Sequence, residues 1–455
     1  MTKHKAMHQM PGQPGRDAMA PGETRREAPS DEADCTRQEL GNTGSALIVK
    51  VLARENMLLA LKRVRSNKGA AGIDGLGIEE TAERLKTTWS SLRSQLLTGT
   101  YRPSPVRRVL IPKPGGGERQ LGIPTVTDRI IQQALLQVLQ PLLDPHFSEH
   151  SYGFRPGRSA HQAVLAAQQY VHAGRSTVVD VDLEKFFDTV CHDRLIDRLR
   201  KKVSDPGVIR LVRSYLNSGT MLDGVVVTSN QGTPQGGPLS PLLANVLLDD
   251  VDKELERRGH CFVRYADDAN VYVNSLKAGQ RVMALLRRLY TRLGLKVNER
   301  KSAVASAFGR KFLGYSLGLS YQGQVRRWIS WSAVKVFKDR IRQITARNCG
   351  RSLSQVIERL RPYLLGWKAY FGLSQAPRLW KMLDEWIRRR LRALQLKQWR
   401  TGKTIYRELR KLGANDSLAA LVASNSGRVW HNSAGYIHNV LRVAWFDRLG
   451  LVRLS

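Results

Sequence analysis

The chain has 455 residues, 42% of them hydrophobic, enough for two or three domains with real cores. Lys and Arg outnumber Asp and Glu by 73 to 39, and a net charge of +34 is far more than a merely soluble surface needs, so nucleic acid is the leading partner. The four cysteines, Cys35, Cys191, Cys261 and Cys349, lie far apart, which excludes a CxxC zinc site and argues against a disulfide scaffold; no apolar run approaches the roughly 18 residues of a membrane span, so an intracellular, reducing compartment is expected.

Residues 1–45 are rich in Met, Gly, Pro, Gln and charge without periodicity, and are expected to form a disordered tail. Helical spacing runs from Ala46 to Leu61, followed by a basic loop over 63–69, a turn at Ile73-Asp74-Gly75 and a helix through Trp89 and Leu97. Val106 to Ile111 and Arg119 to Ile123 read as strands joined by a Pro-Gly turn, which sets Arg107, Arg108, Lys113 and Arg119 on one short ribbon. A solvated basic hairpin and a phosphate clamp explain that ribbon equally well. The pattern over Thr127 to Leu143 is helical, with Asp128 as the expected N-cap.

A Gly- and Pro-punctuated loop, 151–159, carries two Arg and two aromatics. After a helix through Tyr170, the β-branched run from Thr177 reads as a buried strand ending at Asp182. Residues 231–241 hold three Gly and three Pro, then feed a helix from Leu242 to Leu255; glycines there let a ligand approach the backbone. Cys261 to Val273 reads as a hairpin whose tight turn carries the adjacent carboxylates Asp267 and Asp268. An isolated Asp-Asp turn is usually structural. A helix follows over Ala278 to Leu293, then strands at 312–315 and 326–329.

From Ala333 the chain reads as helical. The stretch from Val325 onwards holds 27 Lys and Arg against 7 Asp and Glu, together with eight of the nine Trp. Leu379, Leu383, Trp386, Ile387, Leu391 and Leu394 form an apolar stripe, with Arg388, Arg389, Arg390 and Arg392 on the adjoining face as candidate RNA-binding residues.

A strand-end carboxylate and two hairpin carboxylates, Asp182, Asp267 and Asp268, make a hard oxygen-donor set suited to Mg²⁺. Two such ions can activate a hydroxyl and stabilise a leaving phosphate oxygen. With a basic hairpin for a triphosphate and polycationic helices for a duplex, the inventory is that of a nucleotidyl transferase. No P-loop or Ser-His-Asp pattern competes.

An ordered set of segments then closely resembles the reverse transcriptase/maturases encoded by bacterial group II introns, over residues 50–455. They are IPKPGGGERQLGIPTVTDRIIQQAL at 111–135, SYGFRPGRSA at 151–160, VVDVDLEKFFDTV at 178–190, QGTPQGGPLSPLLANVLLDDVD at 231–252, YADD at 265–268, GLKVNERKS at 294–302 and FLGY at 312–315. The resemblance implies an α+β right-hand polymerase, with fingers and an antiparallel palm over 46–325, a helical thumb/maturase domain over 326–425, a C-terminal extension over 426–455 that could contact DNA, and no endonuclease domain. It implies that Asp182 and Asp267 ligate two Mg²⁺ ions, with Asp268 acting less directly and the Leu183 carbonyl completing a metal shell. Lys113 and Arg119 match residues that contact the incoming dNTP, Gln235 one that packs against it, and Phe187 the bulky gate against a ribose 2′-hydroxyl; Lys301 is similar to a basic residue near the phosphates. Implied partners are group II intron RNA, a DNA primer or target and dNTPs, in the bacterial cytoplasm, with no membrane and no expectation for oligomeric state. Rival readings are a splicing-only RNA-binding maturase and a domesticated reverse transcriptase in repair or phage defence.

Overall fold

The computed structural model describes residues 46–112, 118–222, 225–227, 231–232, 236–348 and 350–455. Helices α1 (Ala46–Val51), α2 (Arg54–Ser66) and α3 (Ile78–Thr98) lead into strands β1 (Val106–Pro112) and β2 (Glu118–Ile123), then α4 (Val126–Leu143) and α5 (Ala160–His172). The single helix expected from Ala46 to Leu61 is two. Ala53 takes extended backbone (φ −60°, ψ 138°) and restarts the helix, which then runs on through Ser66. Arg63 and Arg65 therefore sit on the last turn of α2, where cations complement the helix dipole, and not in a loop. Asp128 is not the N-cap of α4. Thr125 is, its Oγ1 accepting from the Asp128 backbone N at 3.1 Å, while the buried Asp128 carboxylate accepts from the Thr125 hydroxyl at 2.6 Å and the Tyr101 hydroxyl at 2.7 Å.

The next elements build the palm: β3 (Thr177–Val181), α6 (His192–Arg200), α7 (Pro206–Leu216), β4 (Thr220–Leu222), β5 (Val225–Val227), α8 (Ser240–Arg257), β6 (Cys261–Tyr265), β7 (Asp268–Val273), α9 (Leu276–Arg292) and β8 (Ala303–Ser306). The palm sheet has the order β6-β7-β3-β8, antiparallel throughout. Strand β8, unmarked in the sequence reading, closes its edge against β3. A second sheet, β2-β1-β4-β5, joins the expected hairpin to β4 in parallel, Val106 opposite Thr220. A third consists of β9 (Lys311–Phe312), β10 (Tyr315–Leu319) and β11 (Val325–Ile329). Beyond it lie α10 (Trp331–Ile344), α11 (Leu353–Phe371), α12 (Pro377–Trp399), α13 (Gly402–Lys411) and α14 (Asp416–Ser424), followed by short helical turns.

Apolar burial falls into separate clusters. One gathers α1 to α4 and α6 to α9 around Leu135, Val179, Leu247 and Phe262; another gathers the helices after β11 around Phe337, Leu360, Leu391 and Leu409; a third sets Ala163, Ala167 and Val171 of α5 against Val178 and Val263. Ile437, Leu441, Phe446 and Leu454 belong to the second cluster, so residues 426–455 pack into the helical core. Asp384 accepts from the Leu454 and Ser455 backbone N at 2.9 Å each and holds that end down.

The palm hairpin is fixed from beneath by a buried charge. Arg264 on β6 and Asp252 on α8 are each only 1% exposed, with Nη2 and Oδ2 2.6 Å apart. The Arg264 Nη1 donates to Asn245 Oδ1 and to the Ala266 carbonyl, both at 2.9 Å, and the Asn245 amide donates to the Gly153 carbonyl at 2.9 Å. Such a pair is costly to break because the remaining charge stays buried. Asp252→Asn is expected to lower unfolding free energy by about 3 kcal/mol or more, measured by urea denaturation. A loss below about 1 kcal/mol would mean that Arg264 finds another anion.

Candidate active site

Three segments converge on the Asp-Asp hairpin, each for a local reason. The hairpin turn itself is Ala266-Asp267, because Tyr265 pairs with Asp268 across the ladder; Asp268 is the first residue of β7 and not a turn residue. Ala266 sits at φ +59°, a position where tight hairpins favour glycine, and the Arg264 bond to its carbonyl holds it there. Beneath it, a Cβ on Gly153 would stand 2.3 Å from the Ala266 N, so the 151–159 loop must present glycine to the turn.

Asp182 follows the last residue of β3, and its backbone is fastened to the GLKVNERKS segment. Asn298 N donates to the Asp182 carbonyl at 2.8 Å, and Asp182 N donates to Ser302 Oγ at 3.0 Å. Leu183 forms an isolated bridge with Val297 and is buried. Lys301 Nζ lies 3.5 Å from Asp182 Oδ2, with its side chain largely exposed. One residue pair back along β3, Asp180 bonds Arg310 Nε at 2.7 Å and receives the Asn270 amide at 3.0 Å when that amide's nitrogen faces it. Burial raises the Asp180 pKa against the pull of Arg310, and Asp182 adds to the rise.

The carboxylates feel one another. Asp268 is reached by solvent yet ringed by protein; desolvation, then the charges of Asp267, Asp182 and Asp180, push its pKa up to about 6 against the pull of Lys311. They do not close on one point, however. Among the described residues no three His, Cys, Asp or Glu side chains stand as a ready-made metal cage. Asp182 faces Lys301 at 3.5 Å. The donor chemistry still suits a hard cation: carboxylate oxygens only, in a mutually repelling set.

Asp267 and Phe187 line one cavity of about 600 Å³, together with Arg129, Phe154 and Gly236-Gly237. Phe187 is held edge-on by the buried Phe186 ring at 5.0 Å. Gly236 is required by close approach to backbone, whereas Gly237 faces the end of a flexible side chain. A Cβ on Gly236 (φ +130°) would stand 2.6 Å from the Gly122 carbonyl, and one on Gly237 2.4 Å from Gln132 Oε1. The start of the same block is latched by Gly232, whose N donates to the Val190 carbonyl at 2.8 Å and whose carbonyl lies 2.6 Å from His192 Nε2.

Sequence reasoning missed Arg129 and Phe154 as cavity-wall residues. The Arg129 Nη2 donates to the Ala70 carbonyl at 2.6 Å, its Nε is buried without a partner, and burial lowers its pKa, opposed by Asp74. A lone Arg on an apolar helix was the available signal. Of the expected nucleotide contacts, Lys113 and Gln235 lie outside the described residues. Arg119 is placed by backbone only, opposite Ile111 in the β1–β2 ladder.

The four thumb arginines are half-buried. The Arg389 guanidinium stacks 4.2 Å from the Trp430 ring centroid, Arg390 Nε donates to the buried Thr345 hydroxyl at 2.7 Å, and Arg392 Nε donates to the Leu441 carbonyl at 3.1 Å. Burial, then Arg388, lowers the Arg392 pKa to about 10. Arg389, Arg390 and Arg392 thus knit α12 to its neighbours, in place of the open basic face that the helical pattern suggested.

Known proteins agree with these segments. The family model described as reverse transcriptase (RNA-dependent DNA polymerase) matches residues 111–317, and that of the group II intron maturase-specific domain matches residues 334–413. Protein YkfC of Escherichia coli is 37% identical over 218 residues, covering 46% of this chain and 57% of that protein. The group II intron-encoded protein LtrA of Lactococcus lactis is 37% identical over 199 residues, covering 43% of this chain and 32% of its own length. The matched stretches thus span about half or less of these relatives. A chain of a solved partial Cas6-RT-Cas1–Cas2 complex is similar at 28% identity, with a TM-score of 0.36, over 55% of this chain and 43% of that one. No helix among the described residues is long and apolar enough to cross a membrane. In sequence, and in the order of its two matched domains, the chain is similar to the group II intron-encoded reverse transcriptase/maturases.

Proposed function

We propose that this chain is an RNA-directed DNA polymerase that copies its own group II intron RNA and assists its splicing, supporting intron mobility. The observation that carries the reading is the cavity that Asp267 shares with Phe187 and Gly236-Gly237, with Asp268 next in the chain and within electrostatic reach of Asp182. Asp182, Asp267 and Asp268, with the Leu183 carbonyl, are the groups to hold Mg²⁺; when bound, it supplies activation of the primer 3′-hydroxyl and stabilisation of the departing pyrophosphate oxygen.

The remaining work falls to the chain. Asp182 is presented by its backbone bonds to Asn298 and Ser302, and Asp267 by the turn that Arg264 fixes. Phe187, packed on Phe186, sets the cavity wall where a ribose 2′-hydroxyl would clash. Glycines 236 and 237 let the sugar approach backbone, and Arg129 with Lys301 provides positive charge for phosphates. Lys113, Arg119 and Gln235 are assigned to the incoming nucleotide on the strength of their motifs. The helical domain, from about residue 326, is assigned to the RNA.

Purified protein is expected to extend a DNA primer on an RNA template with dNTPs and Mg²⁺. Asp267→Ala should cut extension at least about 100-fold while intron splicing persists in the same preparation. Full extension by this variant would place the chemistry elsewhere. Phe187→Ala should improve the use of rNTPs relative to dNTPs by about tenfold or more, read as the ratio of kcat/KM values; an unchanged ratio would remove Phe187 from sugar selection.

A further inference from the structure

The C-terminal end of α12 faces the α10–α11 loop and the segment after α14 across a groove of about 950 Å³. Arg347, Arg351, Lys397 and Arg400 line it, with Ser352 and Ser426 between them. No carboxylate is among its lining residues. Four cations without a neutralising anion repel one another, and such an arrangement favours a polyanion. The repulsion extends inward: the Arg390 pKa is lowered by burial first, and then by Arg342 and Arg347.

The groove is built and not merely lined. Gln398 Nε2 donates to the Arg351 carbonyl at 2.7 Å, tying the α10–α11 loop to α12. Ser352 caps α11, its Oγ accepting from Gln355 N at 3.3 Å, so the positive end of a 19-residue helix lies at the groove wall. Across from it, a Cβ on Gly402 would stand 2.8 Å from the Ala423 carbonyl, which shows how closely the α13 start packs on α14. Arg400, between α12 and α13, holds φ +62° and ψ −64°, a backbone that side-chain-bearing residues rarely adopt. Strain of that kind persists where the surroundings over-determine a position, and here it sits under a groove cation.

These cations differ from those of the α12 helix face. Arg389, Arg390 and Arg392 are engaged by Trp430, Thr345 and Leu441 and act as packing groups. We propose that the groove of Arg347, Arg351, Lys397 and Arg400 is where the helical domain grips the phosphate backbone of structured RNA. Its cationic residues lie within 334–413, the stretch matching the maturase-specific domain. The Ser352 and Ser426 hydroxyls interleaved with the cations offer partners for 2′-hydroxyls, which favours RNA over DNA. The assignment rests on reading the chain as a maturase.

The test compares the full chain with the variant Arg347→Gln/Arg351→Gln/Arg400→Gln and with a charge-matched control, Lys62→Gln/Lys86→Gln/Arg93→Gln on the exposed faces of α2 and α3. Binding of a labelled group II intron transcript is measured across salt, against a DNA duplex and an unstructured RNA. The groove variant should lose on the order of 10–100-fold in affinity and about three units of log–log salt slope, with an unchanged melting temperature. The control should lose much less. Arg390→Gln should lower the melting temperature instead. Equal losses in groove and control variants would reduce the effect to net charge and overturn the groove. So would a groove variant that binds as the wild type does, or one that loses only DNA duplex. Wild-type protein binding the intron transcript no more tightly than unstructured RNA would overturn the maturase reading itself.

Discussion

Arg264 carries a full charge into the centre of the palm, and the Asp-Asp hairpin is suspended from it. Its guanidinium meets Asp252 on α8, reaches Asn245 about two turns away on the same face of that helix, and bonds the carbonyl of Ala266 at the turn. Asn245 passes the constraint on to Gly153. A helix, a strand, a strained turn and the 151–159 loop are thereby locked into one register by directional bonds. Hydrophobic packing alone would fix that register less sharply, because it tolerates small slides. Asp267 can occupy its place only while this network is intact.

The three carboxylates were legible in the sequence because their chemistry and their positions coincide: a β-branched run ending at Asp182, and a hairpin carrying Asp267 and Asp268. The two-residue turn moved Asp268 onto β7, a shift of one residue that composition does not specify. Arg264 and Asp252 were not legible as a pair. They stand on different elements, and each looks like one more charge among the 25% of residues that are charged. Arg129 was hidden in the same way, since its place on the cavity wall follows from how α4 meets the Gly236-Gly237 turn.

The helical domain shows a different limit. Periodicity identifies the apolar stripe of α12 correctly, with Leu383, Ile387, Leu391 and Leu394 buried. It assigns the adjoining face to solvent by default, and there tertiary structure intervened. The α10 end, Trp430 and the 441–446 segment cover that face and turn its arginines into hydrogen-bond donors and ring-stacking partners. A long cationic side chain can do this because its stem is apolar and its head makes several bonds. Charge counted along a helix therefore overstates what is open to a partner.

The attachment of Asp182 to Ser302 spans 120 residues of chain. A ribosome delivers residues one after another, so the strand bearing Asp182 emerges long before the segment that orients it. Pairings of such long sequence separation form late, after the loop between them has closed. A nascent chain therefore leaves the backbone of Asp182 unfastened until it has passed Ser302. The fastening of Asp182 and the start of the helical domain at Trp331 follow one another closely in synthesis.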